Sequence, residues 1–150
     1  MPPPTSSVTT VDDLDDYTKI FSRTSKLILS GSNAAKYGGD TSRLARLNTL
    51  QENVVYKAWG SMNMDSFAVD TWFAYNEPIN DFDIYSSPDN VTYTLFTPNR
   101  TVVPGVGTNY HKVSYDQQLP AGTKYLKIVF KNDQTYYSPA IGRAVFTSKL

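Results

Sequence analysis

The sequence predicts an all-β fold, a sandwich of two antiparallel sheets with roughly nine or ten strands. Three observations carry this. Between Asp81 and Phe130 short runs alternate apolar and polar residues and are broken by turn residues. Tyrosines gather where those runs meet the loops. No apolar pattern sustains three turns of helix, although Asp40–Leu50 has the composition of a short one.

Taken in chain order, Met1–Thr10 is a Pro/Thr/Ser tract with the composition of an extended linker, so residues 1–10 are set apart from a single domain at 11–150. The opening Met reads as an initiator placed on a piece of a longer secreted chain. Asp12, Asp13, Asp15 and Asp16 then crowd carboxylates around Leu14. Ile20-Phe21-Ser22 and Leu27-Ile28-Leu29 are strand material, and Gly31–Thr41, with its Gly38-Gly39 pair, is a loop. Ser42–Leu47, Asn53–Trp59 and Ser66–Tyr75 follow as strands. In the last of these Phe67, Val69, Thr71 and Phe73 share the core face, while Ala68, Asp70, Trp72 and Ala74 share the other.

Phe82–Ser86 and Val91–Phe96 alternate on either side of Ser87-Pro88-Asp89-Asn90, which is hairpin chemistry. His111–Tyr115, Lys124–Lys131 and Arg143–Thr147 complete the strands.

Composition narrows the function. The 14 basic and 14 acidic residues cancel, so no broad positive field exists to gather nucleic acid or anionic lipid. No apolar segment reaches spanning length and no signal peptide is evident at Met1. Cysteine is absent, which removes disulfides and thiol chemistry. Against 19% charged residues stand 11 Tyr and 2 Trp, a surface chemistry suited to neutral polyhydroxylated ligands. Catalysis is poorly provided for. His111 is the sole histidine, no Gly-x-Ser-x-Gly elbow occurs, and Glu52 and Glu77 are the only glutamates.

Three stretches resemble the galactose-binding-domain-like β-jelly rolls that occur as carbohydrate-binding modules on bacterial polysaccharide-degrading enzymes. Asp81–Tyr93 is similar to a recurring hairpin of that superfamily, with Asn90 where a turn glycine is usual. Leu119–Phe130 is similar to its penultimate strand and Ser138–Phe146 to its closing one. The resemblance covers roughly residues 11 to 150. It implies a jelly-roll topology, secretion, a covalently linked catalytic domain and a monomer. It also implies a structural calcium between the first strand and an early loop, with Asp13, Asp16 and Asp40 as ligands.

For the sugar itself, Trp59 and Trp72 are the candidate stacking platforms, because each alternates against apolar neighbours that would occupy the core. Arg43 and Arg46 are candidate hydrogen-bond donors, and their spacing on a strand sends them to opposite faces. Loop tips offer Tyr37 beside Gly38-Gly39, and Asn132, Tyr136 and Tyr137 in the loop before the last strand. The expected ligand is a β-linked mannan, galactan or glucan, with acidic glycans left open through Arg43, Arg46 and Lys36. The competing expectation is an adhesion or protein-interaction domain that uses the same rings.

Overall fold

A computed structural model of the chain describes residues 6–31, 34–47, 50–74, 82–103, 110–131 and 139–150. In order the strands are β1 (Ser7–Asp12), β2 (Ser22–Arg23), β3 (Leu27–Ser30), β4 (Arg43–Arg46), β5 (Glu52–Lys57), β6 (Asn63–Ala74), β7 (Phe82–Ser87), β8 (Thr94–Phe96), β9 (Asn99–Val103), β10 (Tyr110–Gln118), β11 (Tyr125–Phe130) and β12 (Ala140–Lys149). The only helical turn among the described residues is a 3₁₀ turn at Ala34–Tyr37. The strand expected over Ser42–Leu47 is β4, and the short helix for which Asp40–Leu50 also had the composition does not form there. The Arg43–Arg46 register of β4 against β12 and β3 gives the backbone more hydrogen bonds than one isolated helical turn would.

The strands form two antiparallel sheets. The larger runs β3-β4-β12-β6-β10-β9 with β1 added on β12, and the smaller runs β2-β5-β11-β7-β8. Two strands lie beyond the expected set. β1 begins at Ser7, inside the tract expected to be linker, and pairs along β12 from Ser7↔Lys149 to Asp12↔Ala144. Its Val8-Thr9-Thr10-Val11 run is β-branched and fits a pleated edge although it is barely hydrophobic. β9 pairs with β10 in the same fashion.

The inward faces follow the period of two. Phe67, Val69, Thr71 and Phe73 of β6 are buried, as are Val54 and Tyr56 of β5, Leu126, Ile128 and Phe130 of β11, and Phe82 and Ile84 of β7. Phe82 meets Phe130 edge to face at a centroid distance of 4.9 Å, and Tyr56 meets Phe146 at 5.6 Å, so rings from both sheets fill the layer. The expected hairpin forms between β7 and β8, with Asn90 left-handed at φ 63° and Ser87 and Asp89 accepting the loop amides, but its return strand begins at Thr94 and not at Val91, because Asp89 takes the Val91 and Thr92 amides into the loop.

β12 carries an irregularity that shapes everything above it. Its register against β6 slips between Ile141 and Arg143, so Gly142 is a bulge. Beyond the slip the side-chain period shifts by one residue. Ala144, Phe146 and Ser148 turn inward and Arg143 turns to solvent.

Asp12, read in the sequence as one of four solvated carboxylates, is fully buried. Its Oδ2 accepts from the Tyr56 hydroxyl at 2.8 Å, and its Oδ1 accepts from the backbone N–H of Leu14 at 2.9 Å. Leu14 reaches that position through a left-handed φ of 59°. Burial pushes the Asp12 carboxyl above its ordinary value of 3.8, and the two hydrogen bonds offset only part of that. Burial likewise drives the Tyr56 phenol well above 10.0, reinforced by the neighbouring carboxylate.

The folded chain therefore holds the Asp12 proton over a pH window in which the unfolded chain has lost it. Stability from this group is fully present below pH 3.8 and drains away as pH rises through the folded-state value. Asp12→Asn removes the titration, so the melting midpoint of the unsubstituted chain should fall relative to that variant as pH rises above the ordinary value of 3.8. Paired thermal melts at rising pH check it, and parallel curves would contradict it.

Candidate functional site

One edge of β12 serves two strands in turn. β4 pairs with Ala140 and Ile141, and β1 pairs from Ala144 onward. Between the start of β4 and the end of β1 the edge is open, and a recess of about 390 Å³ lies there on the outer face of the larger sheet. The cross-strand rows beneath it follow from register. Ala140, Trp72 and Lys112 form one row, and Arg143, Asp70 and Ser114 form the next. The segment from Tyr37 to Ser42 supplies one wall and Asp13, just past β1, supplies another.

The polar groups of the recess are engaged with one another. Asp70 accepts from the Ser114 hydroxyl at 2.7 Å and faces Lys112 Nζ at 3.3 Å. Arg143 Nε lies 3.4 Å from Asp13 Oδ1, both side chains being more than half exposed. Asp40 accepts from the Trp72 indole N–H at 3.2 Å and from the Ser42 backbone N–H at 2.8 Å. Partly exposed ion pairs of this kind contribute only about 0–1 kcal/mol each to the fold, so a ligand can exchange them at small cost. A sugar hydroxyl donates and accepts together and can bridge such a carboxylate–ammonium pair.

Several expected site residues meet here, but not in the expected roles. Tyr37 and Asp40 line the recess. Trp72 lines it too, yet is only 5% exposed, which corrects its reading as an open platform. The alternation gave its face correctly. The Tyr37–Ser42 loop then covers that face, and Tyr37 packs edge-on against the indole at 6.0 Å. Arg43 and Arg46 are also corrected. Arg43 is 1% exposed, lies 3.7 Å from the Tyr37 ring centroid and donates to the Asp40 carbonyl. It supports the loop from below. Arg46 is buried and donates to the carbonyls of Leu50 at 2.5 Å and Lys131 at 2.6 Å, so it ties two chain segments together. Trp59 is 58% exposed but lies outside the recess, in another groove. Asn132, Tyr136 and Tyr137 lie outside the described residues.

The expected calcium ligands are not brought together. Asp13 and Asp40 share the recess, but Asp16 is not part of it and accepts from the Thr18 hydroxyl and backbone N–H in its own turn. Those bonds hold the Asp16 carboxyl below its ordinary range. Among the described residues no three acidic or histidine side chains converge on a point, so this trio does not fit the ion.

Sequence reasoning missed Asp70, Lys112, Arg143 and Gly142 as recess residues. Asp70 carried a signal, since it stands two residues from Trp72 on the same face of one strand. Gly142 carried none, although the site requires it. A Cβ there would lie 2.7 Å from Asp40 Oδ2 and 2.7 Å from Trp72 Nε1.

Solved structures with this architecture exist. A CBM35 from Paenibacillus barcinonensis matches over 93% of this chain and 97% of its own, at 15% identity and a TM-score of 0.51. The chain shares its sandwich fold. A cleaved adhesin domain of Lys-gingipain from Porphyromonas gingivalis matches over 96% of this chain and 98% of its own, at 11% identity and a TM-score of 0.50. No protein-family model and no curated protein matches the sequence. Identities this low carry the β-sandwich architecture and nothing finer. Among the described residues no helix is long and apolar enough to cross a membrane.

Two substitutions separate recess from scaffold. Gly142→Ala should cost about 1–3 kcal/mol through overpacking and disturb the emission of Trp72, read by denaturant unfolding and fluorescence. Arg46→Met should lower the melting midpoint by removing the hydrogen bonds that tie Leu50 and Lys131 together and leaving the buried Phe130 carbonyl without its Arg46 contact, at about 1–3 kcal/mol, and leave ligand affinity unchanged. A loss of affinity at an unaltered midpoint would restore Arg46 to the site.

Proposed function

We propose that the chain is a secreted, non-catalytic carbohydrate-binding module that holds a covalently linked glycoside hydrolase or lyase domain on a β-linked plant-type polysaccharide, a mannan, galactan or glucan. The observation that carries this is the recess over β6, β10 and β12. It joins two carboxylate–cation pairs, a third carboxylate and a tyrosine ring in one depression of about 390 Å³. That mixture gives hydroxyl groups both donors and acceptors and gives a C–H face a ring edge to lie against. The recess carboxylates sit among hydrogen-bond donors and cations, the surroundings of acceptors more than of a proton donor in an apolar pocket.

Binding without chemistry is useful when the module is tethered. Each encounter of the linked catalytic domain with its polymer becomes nearly intramolecular, at an effective concentration on the order of millimolar for a short linker. The affinity of one site is modest, because each sugar hydroxyl exchanges water for protein at a net gain of roughly 0.5–1.5 kcal/mol. The match to an adhesin domain supports a second reading, in which the same sandwich binds a protein surface.

Affinity electrophoresis in gels containing soluble mannan, galactan or glucan, with and without chelator, distinguishes the two. Retardation by one glycan is expected, and indifference to all of them favours adhesion. Arg143→Ala and Asp13→Asn act at exposed positions and should leave the melting midpoint nearly unchanged. Arg143→Ala should weaken glycan retention by about 10- to 100-fold through loss of a charge-assisted hydrogen bond. Unaltered retention in both variants would place the site elsewhere.

A further inference from the structure

A second groove, of about 350 Å³, shares no lining residue with the recess. It runs between Thr10 of β1, the turn at Thr18–Phe21 and the connection from β5 to β6, over a floor of Ala58 and Phe146. We infer that this groove is a second glycan site, for a neutral β-linked chain, which makes the domain bivalent. The inference rests on the carbohydrate-binding reading and adds a surface to it.

Trp59 is the centre of the argument. Its backbone is fixed, since its N–H donates to Ser148 Oγ at 2.9 Å and its carbonyl accepts from Met62 at 3.0 Å, with Gly60 left-handed beside it. The indole nevertheless stands 58% exposed, and among the described residues no ring or hydrogen-bond partner engages it. A rigid backbone holding a bare indole at the mouth of a groove is pre-organised for stacking, because little conformational freedom is left to lose. Phe21 continues the surface. It is 47% exposed and is braced edge to face by Tyr125 at 5.3 Å.

The polar lining selects the occupant. Where the recess has three carboxylates, this groove has none. Its charged groups are Lys19 and Lys57, so it offers donors to a ligand that must supply acceptors, as hydroxyl, ring and glycosidic oxygens do. Thr18 spends its hydroxyl proton on Asp16 and remains an acceptor. An apolar ring beneath a few donors is complementary to the C–H face and oxygens of an uncharged sugar.

Isothermal titration with mannohexaose, cellohexaose and galactohexaose tests this on the whole chain, Trp59→Ala, Arg143→Ala and the double variant. Both single substitutions fall at exposed positions and keep the fold. The expected result is two sites per chain, one remaining in each single variant and none in the double. Sugar should also shield the chain from acrylamide quenching, since Trp72 is buried and the accessible emission belongs to Trp59. One site per chain with an unchanged titration in Trp59→Ala overturns the second site and leaves the carbohydrate-binding reading standing. Silence towards all three sugars overturns both.

Discussion

β12 gives one edge to two strands in succession, and the surface chemistry of the domain depends on how that handover is made. β4 leaves after Ile141 and β1 arrives at Ala144. Gly142 fills the interval because a side chain at that point would strike Asp40 and Trp72. The bulge does two things at once. It opens a gap in an otherwise continuous ladder, and it reverses the sense of the following residues so that Arg143 faces the gap while Phe146 stays in the core. Without the slip, Arg143 would point between the sheets and away from Asp13.

Behind the gap the two sheets are joined by a polar contact. Asp12 ends β1 in one sheet, and the Tyr56 hydroxyl reaches it from β5 in the other. A buried carboxylate is a costly component, and one that accepts a phenol and a backbone amide is satisfied without becoming inexpensive. Its return is positional. It fixes where β1 stops and hence where Asp13 emerges beside Arg143.

Local pattern made a large share of this legible. The period of two in β6 gave the core face correctly, the polar turn before Asn90 gave the β7–β8 hairpin, and the alternation of Leu126, Ile128 and Phe130 gave β11. What failed was whatever depends on partners distant in sequence. Trp72 was placed on the right face, but its cover comes from a loop some thirty residues earlier, at a distance no alternation encodes. Arg43 and Arg46 read as surface donors because arginine is rarely buried, and here each is satisfied by backbone carbonyls that only the fold brings near. β1 was hidden because threonine and serine supply a strand's shape without its hydrophobicity. The pairs Asp70–Lys112 and Asp13–Arg143 are products of register, which the sequence states only once the strand order is known.

The ladder between β1 and β12 also has a mechanical side. Ser7 lies opposite Lys149, so the two ends of the domain emerge next to each other. Tension that draws those ends apart meets the ladder as a zipper, breaking its hydrogen bonds one at a time and never loading them in shear. The peel advances easily until it reaches Asp12, where the anchored carboxylate and the left-handed turn at Leu14 resist it together. Under drag, a few residues of slack are released first, and the gap in β12 keeps its shape until that clamp gives way.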